Sequence, residues 1–129
     1  MRKLIPFVLL AFTVLLLLTA CGQSLDAPAQ AVEDYLNALV SKDADRLSSL
    51  SCADWEPTAI LELDSLQAVE TRLEGLACTA TANEDGTFSV NCTGAIVATY
   101  NGEDQQLDLS ARTYNVIEQG GEYLVCSYK

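Results

Sequence analysis

Residues 87–118 read TFSVNCTGAIVATYNGEDQQLDLSARTYNVIE, and this stretch decides the fold. Residues 87–100 are rich in β-branched and aromatic side chains, the composition of a strand. Asn101-Gly102 comes next, the dipeptide best suited to a two-residue hairpin because both positions tolerate positive φ. Over residues 105–118, Leu107, Leu109 and Ala111 alternate with Asp108, Ser110 and Arg112, which predicts a strand with one apolar face. Gly120-Gly121 turns the chain into a last strand over residues 122–128.

Turn lengths set the registers. A two-residue Asn101-Gly102 loop pairs Tyr100 with Glu103, Ile96 with Leu107 and Cys92 with Ala111. A Gly120-Gly121 loop pairs Gln119 with Glu122, Ile117 with Leu124 and Asn115 with Cys126. One face then carries Phe88, Val90, Cys92, Ile96, Leu107, Leu109, Ile117, Leu124 and Cys126, the face for helices to cover. Asp108 and Tyr114 fall on the other face.

Upstream, residues 67–81 suit a bent strand. Val69, Thr71 and Leu73 alternate in one phase and Leu76, Cys78 and Ala80 in the other, as a β-bulge at Glu74-Gly75 would produce. If Glu84-Asp85-Gly86 forms a three-residue loop, Cys78 lies opposite Cys92.

Three helices precede the strands. The first spans residues 28–41, with Asp26 or Ala27 at its cap and Pro28 in its first turn. Val32, Tyr35, Leu36, Leu39 and Val40 form one apolar stripe. Asp43 caps a short helix over residues 44–50. A loop holding Cys52 and Trp55 leads to a third helix over residues 58–66. The expectation is an α+β domain: helices packed on a curved antiparallel sheet of about four strands.

The N-terminus reads differently. Arg2 and Lys3 precede an apolar run over residues 4–18, then Leu18-Thr19-Ala20-Cys21. This is the pattern of a secretory signal peptide, and the run is shorter than the ~20 residues a spanning helix prefers. The tetrapeptide resembles the lipobox of bacterial lipoproteins, in which the cysteine is lipidated and becomes residue one. The resemblance implies a signal peptide over residues 1–20, a lipidated linker over residues 21–27 and a domain over residues 28–129. It implies a lipid anchor on Cys21 and an extracytoplasmic location at a bacterial membrane.

The whole chain has 129 residues, 18 acidic against 7 basic, no histidine and five cysteines, with a net charge of −11. Removing residues 1–20 takes Arg2 and Lys3 with them, leaving 5 basic against 18 acidic side chains, a charge of −13. That excess argues against nucleic-acid binding, which needs clustered Lys and Arg. It also repels anionic headgroups, so the lipid must supply the membrane affinity. No cofactor is indicated.

Setting Cys21 aside leaves four cysteines in an oxidising compartment, with three possible pairings. The registers favour Cys78–Cys92, and Cys52–Cys126 results if the second helix packs over the face holding Cys126. The second pair would close a loop of about 75 residues, worth ~4 kcal/mol in the chain-entropy model. No Cys-x-x-Cys pair points to a metal.

Residues 29–43, AQAVEDYLNALVSKD, resemble the first helix of the nuclear-transport-factor-2-like superfamily, whose members include SnoaL-like enzymes. The start of helix two at residues 43–47 and the ending GGEYLVC at residues 120–126 fit as well. The resemblance spans roughly residues 28–128 and implies a cone-shaped domain with a pocket between sheet and helices; a cystatin-like arrangement is a close alternative. Enzymes of that superfamily place Asp, His or Tyr in the pocket. Here histidine is absent and the inner face reads almost wholly apolar, which argues against catalysis.

The nominal catalytic set is Asp108 with Tyr114 or Tyr100, acting in proton abstraction as in an isomerase or dehydratase. Residues 83–86 and 101–104 lack the spacing of a calcium loop and read as turns. Asn91-Cys92-Thr93 matches a glycosylation sequon only by accident. Trp55, Tyr100 and Tyr114 are candidates for a partner-binding or pocket rim. An acidic surface including Glu33, Asp34, Glu62, Glu70, Glu74 and Asp104 could meet a basic partner protein. The leading reading is a non-catalytic binding or interaction module, which could pair as a homodimer through the sheet. The alternative is a carrier or sensor holding an apolar small ligand in the cone.

Overall fold

A computed structural model describes residues 24–129. The proposed signal peptide and Cys21 lie outside the described residues. Three helices pack on one face of a five-stranded antiparallel sheet. Among the described residues, no helix is long and apolar enough to cross a membrane.

Helix α1 spans Asp26–Ser41, starting two residues before the expected position and inside the segment read as linker. Neither Asp26 nor Ala27 caps it; the cap position is Leu25, and the Asp26 N–H donates to Ser24 Oγ instead. The stripe behaves as its period requires: Val32, Tyr35, Leu36 and Leu39 are fully buried. The helix ends at Lys42, in the left-handed region at φ 61°. Helix α2 (Ala44–Ser49) is capped by Asp43, whose carboxylate accepts from the Arg46 N–H. Helix α3 spans Glu56–Ser65, with a proline in its first turn.

The strands are β1 (Glu70–Ala82), β2 (Phe88–Tyr100), β3 (Glu103–Asp108), β4 (Thr113–Gln119) and β5 (Glu122–Tyr128). Their order is β1-β2-β4-β5, with β3 paired to the far half of β2. Two hairpin registers hold as read: Tyr100 faces Glu103 with Ile96 opposite Leu107, and Gln119 faces Glu122 with Ile117 opposite Leu124. The β-bulge falls between Glu74 and Ala77, at Gly75. Gly94 stands across from it on β2 with φ +97°, and a Cβ there would lie 2.6 Å from the Gly75 carbonyl. The two glycines let the backbones meet where the sheet bends.

The second half of the meander departs from the expectation. Residues 105–118 are not one strand: a 3-10 turn over Leu109–Ala111 divides them into β3 and β4. Asp108 caps that turn, accepting from the Ser110 N–H at 2.8 Å. The sheet therefore has five strands, and Cys92 is not paired with Ala111. The turn also inverts the phase of β4 and β5. Tyr114 and Val116 are fully buried, while Ile117 and Leu124 are only partly covered and Leu107 is 42 % exposed. Tyr114, expected outside, belongs to the core.

A bulge opposite Asn115/Val116 shifts the last strand too. Asn115 pairs with Ser127, and Val116 with Val125, so Cys126 falls between the pairs. The Cys52–Cys126 bond forms, with Cα atoms 4.9 Å apart, but not beneath the helices. It closes over a surface hollow shared with Ile117 and Gln119. Segment 50–52 reaches it by running along β5: the Cys52 N–H donates to the Val125 carbonyl and the Val125 N–H to that of Leu50, both at 2.8 Å. Cys78–Cys92 bridges directly opposed positions on β1 and β2, with Cα atoms 4.0 Å apart.

Candidate functional site

The inner end of the cone gathers six side chains from five elements. Tyr35 comes from the α1 stripe, Trp55 from the loop before α3 and Glu62 from α3. Arg112 and Tyr114 lie just after the 3-10 turn, and Tyr128 ends β5. Because Arg112 and Tyr114 are two residues apart on extended chain, both point inward.

Arg112 is the hub. Its Nη1 donates to Glu62 Oε1 at 2.9 Å and, more weakly, to the Tyr114 hydroxyl at 3.4 Å. Its guanidinium lies 4.1 Å from the centre of the Tyr128 ring, a cation–π distance. The two charged side chains are only 15 % and 16 % exposed. Glu62 Oε2 is buried and has no hydrogen-bond partner among the described residues.

Aromatic edges pack around the pair. Tyr114 and Tyr128 have ring centres 5.4 Å apart, and Trp55 and Tyr128 are also 5.4 Å apart, edge to face. Tyr35 meets Tyr114 at 6.3 Å and accepts a hydrogen bond from Trp55 Nε1 at 3.1 Å. Burial raises the ionisation of Tyr35, Tyr114 and Tyr128 above the ordinary tyrosine value, and the Glu62 charge adds to it in each case. Burial pulls the Arg112 value down, but the Tyr114 hydrogen bond and the Glu62 charge outweigh it and the guanidinium is held above its ordinary value.

Above the pair a cleft of about 280 Å³ opens between α3 and the β2–β3 hairpin. Leu66, Ile96, Ala98 and Leu107 form apolar walls, and Ser65, Gln105 and Gln106 contribute polar groups. Two hollows of about 380 Å³ lie elsewhere, beside α1 and over Cys52–Cys126, and neither is lined by a buried charged side chain.

The residues singled out from sequence are scattered. Tyr100 is 60 % exposed near the β2–β3 hairpin tip, and Trp55 is part-buried against Tyr35 and Tyr128. Tyr114 is fully buried and no rim residue. Asp108 is exposed and its carboxylate is occupied by the Ser110 hydroxyl and N–H, which hold it below the usual carboxylate range. Of the acidic surface set, Glu33 accepts the Cys78 N–H and Glu62 is inside. Glu62 and Arg112 were the residues missed. Arg112 carried one usable signal, a rare cation two residues before a tyrosine. Among the described residues, no group of His, Cys, Asp and Glu is placed to hold a metal ion.

Solved structures share the fold that carries this site. An NTF2-like protein with a cystatin-like fold from Novosphingobium aromaticivorans superposes with a TM-score of 0.61 at 14% identity, covering 99% of this chain and 89% of its own. The fold is NTF2-like. Aln2 from a Streptomyces species matches with a TM-score of 0.58 at 12% identity, over 79% of this chain and 85% of its own. A protein of the NTF2-like family from Streptomyces avermitilis, provisionally assigned as a dehydratase, matches with a TM-score of 0.57 at 14% identity, over 81% and 91%. No family model matches the sequence, and no curated protein does. At these identities the NTF2-like likeness concerns the fold, and function has to be argued from the site.

Proposed function

We propose that this protein is a lipoprotein tethered through Cys21 outside the cytoplasmic membrane, whose NTF2-like domain is a non-catalytic module that binds a small molecule in the α3–β3 cleft. One observation carries the binding reading: the cone interior is filled. Tyr35, Tyr114, Leu36, Leu39, Leu63 and Leu109 are fully buried side by side in one core. The interior carboxylate is joined to Arg112. What stays open is a cleft of about 280 Å³ with apolar walls from Leu66, Ile96, Ala98 and Leu107 and convergent polar groups from Ser65, Gln105 and Gln106 above the Glu62–Arg112 pair, a size suited to a small ligand. The proton-abstraction alternative loses its parts, since Asp108 faces solvent and Tyr114 is enclosed.

The tether rests on the sequence of residues 1–21. A fatty-acid label fed to a bacterial host should enter the protein and be lost in Cys21→Ala; equal labelling of the variant would refute the anchor. The binding reading is tested by screening small neutral fragments by ligand-observed NMR against the protein and Leu107→Arg. Leu107 lines the cleft and is 42 % exposed, so the longer side chain can be accommodated while it blocks the site. Fragments should bind the parent and not the variant. Equal binding by both would place the site elsewhere.

A further inference from the structure

The buried oxygen of Glu62 narrows what the cleft can hold, an inference that rests on the binding reading above. Glu62 Oε1 is taken by Arg112, and Oε2 has neither a protein donor among the described residues nor contact with bulk water. The Tyr128 hydroxyl lies close enough to the Glu62 carboxylate for it to raise the tyrosine's ionisation, but it does not reach Oε2 in hydrogen-bond geometry. An interior acceptor left in that state is unfavourable until a donor meets it. Besides Glu62, the cleft and the aromatic cluster beneath it hold one charged group, the Arg112 guanidinium; the other side chains are aromatic, apolar or, at Ser65, Gln105 and Gln106, neutral and polar. A ligand anion would meet Glu62 and a strongly acidic chain, and a ligand cation would have to shed its hydration in a closed site where the Arg112 guanidinium already neutralises Glu62. Neither charge is favoured, whereas a neutral donor is.

We infer that the cleft takes a small, neutral, largely apolar molecule that brings one N–H or O–H donor to Glu62 Oε2. Since that oxygen is closed to solvent, a wall side chain has to move as the ligand enters. Strand β3 supplies the movable wall: it is exposed along its whole length and pairs on one side only, with β2.

Three molecules of nearly one shape separate the possibilities: indole carries an N–H donor, benzofuran replaces it with an ether oxygen, and indene with carbon. Titrated against the parent protein by ligand-observed NMR, indole should bind at least five-fold more tightly than benzofuran or indene. The anion benzoate should not compete. In Glu62→Gln the amide can keep its oxygen on Arg112 and turn a donor inward, so the indole preference should vanish while all three still bind. Equal affinity of the three for the parent would overturn the donor inference and leave the apolar binding site standing. Binding of none of them would overturn both. An indole preference unchanged in Glu62→Gln would show that some other acceptor sets it and would also overturn the inference.

Discussion

Arg112 and Glu62 stand fifty residues apart in the chain, and their side chains meet at 2.9 Å inside the cone. A largely buried pair of this kind adds little relative to an apolar filling, but removing one partner strands the other. Arg112→Met should therefore lower stability by about 3 kcal/mol. The double variant Arg112→Met/Glu62→Leu should recover most of that loss. Urea unfolding of the parent, both single variants and the double variant checks it. A double variant as unstable as the worse single one would mean that the pair is not the unit described.

The two disulfides should differ in weight. Cys52–Cys126 spans 74 residues and Cys78–Cys92 spans 14. In the chain-entropy model these correspond to about 4 and about 3 kcal/mol. Replacing each pair by alanine and comparing denaturant midpoints tests the order. The pairings themselves can be read by peptide mapping without reduction, in which a Cys52–Cys78 or Cys52–Cys92 peptide would contradict the connectivity.

Gly94 is expected to be the least replaceable glycine of the sheet. Its φ is +97°, and a side chain there would run into the backbone of Glu74 and Gly75, which cannot swing aside. Gly120 also has positive φ but opens onto free space. Gly120→Ala should cost only the left-handed penalty of about 1–2 kcal/mol, and Gly94→Ala clearly more. Thermal melts of the two variants rank them.

The tyrosine cluster gives the domain an alkaline limit. Tyr35, Tyr114 and Tyr128 each have an ionisation raised on folding, chiefly by burial. A raised value means that the folded state holds the proton more tightly than the unfolded chain does. The associated stability is fully present below the ordinary tyrosine range near pH ~10 and is lost as pH rises beyond it. Stability against urea should be insensitive to these groups at neutral pH and should fall above ~10. Replacing Tyr114 by Phe should flatten that fall.

Much of this fold was legible in residue order. Asn101-Gly102 and Gly120-Gly121 fixed their hairpins, the phase change at Glu74-Gly75 located a real bulge, and Asp43 capped the helix expected of it. The inner face of β4 and β5 was not legible, because alternation was carried straight through residues 109–111. Asp108-Leu109-Ser110 holds the missed signal: an Asp whose carboxylate takes the N–H of the residue two places on is a turn former, not a strand residue. One 3-10 turn moved Tyr114 and Arg112 inward, and the candidate site went with them. Glu62 was hidden for another reason. A helical Glu reads as solvated unless its partner is known, and that partner lay fifty residues away.

The filled cone is the claim on which the binding reading stands, and tyrosine nitration mapped by peptide mass spectrometry tests it most directly. Tyr100 is 60 % exposed and serves as the internal standard, whereas Tyr35 and Tyr114 are fully buried. Tyr100 should be modified rapidly while Tyr35 and Tyr114 stay intact in the native protein and react only on unfolding. Nitration of Tyr35 and Tyr114 in the native protein at the rate of Tyr100 would mean an open, solvent-filled interior and would contradict the filled cone.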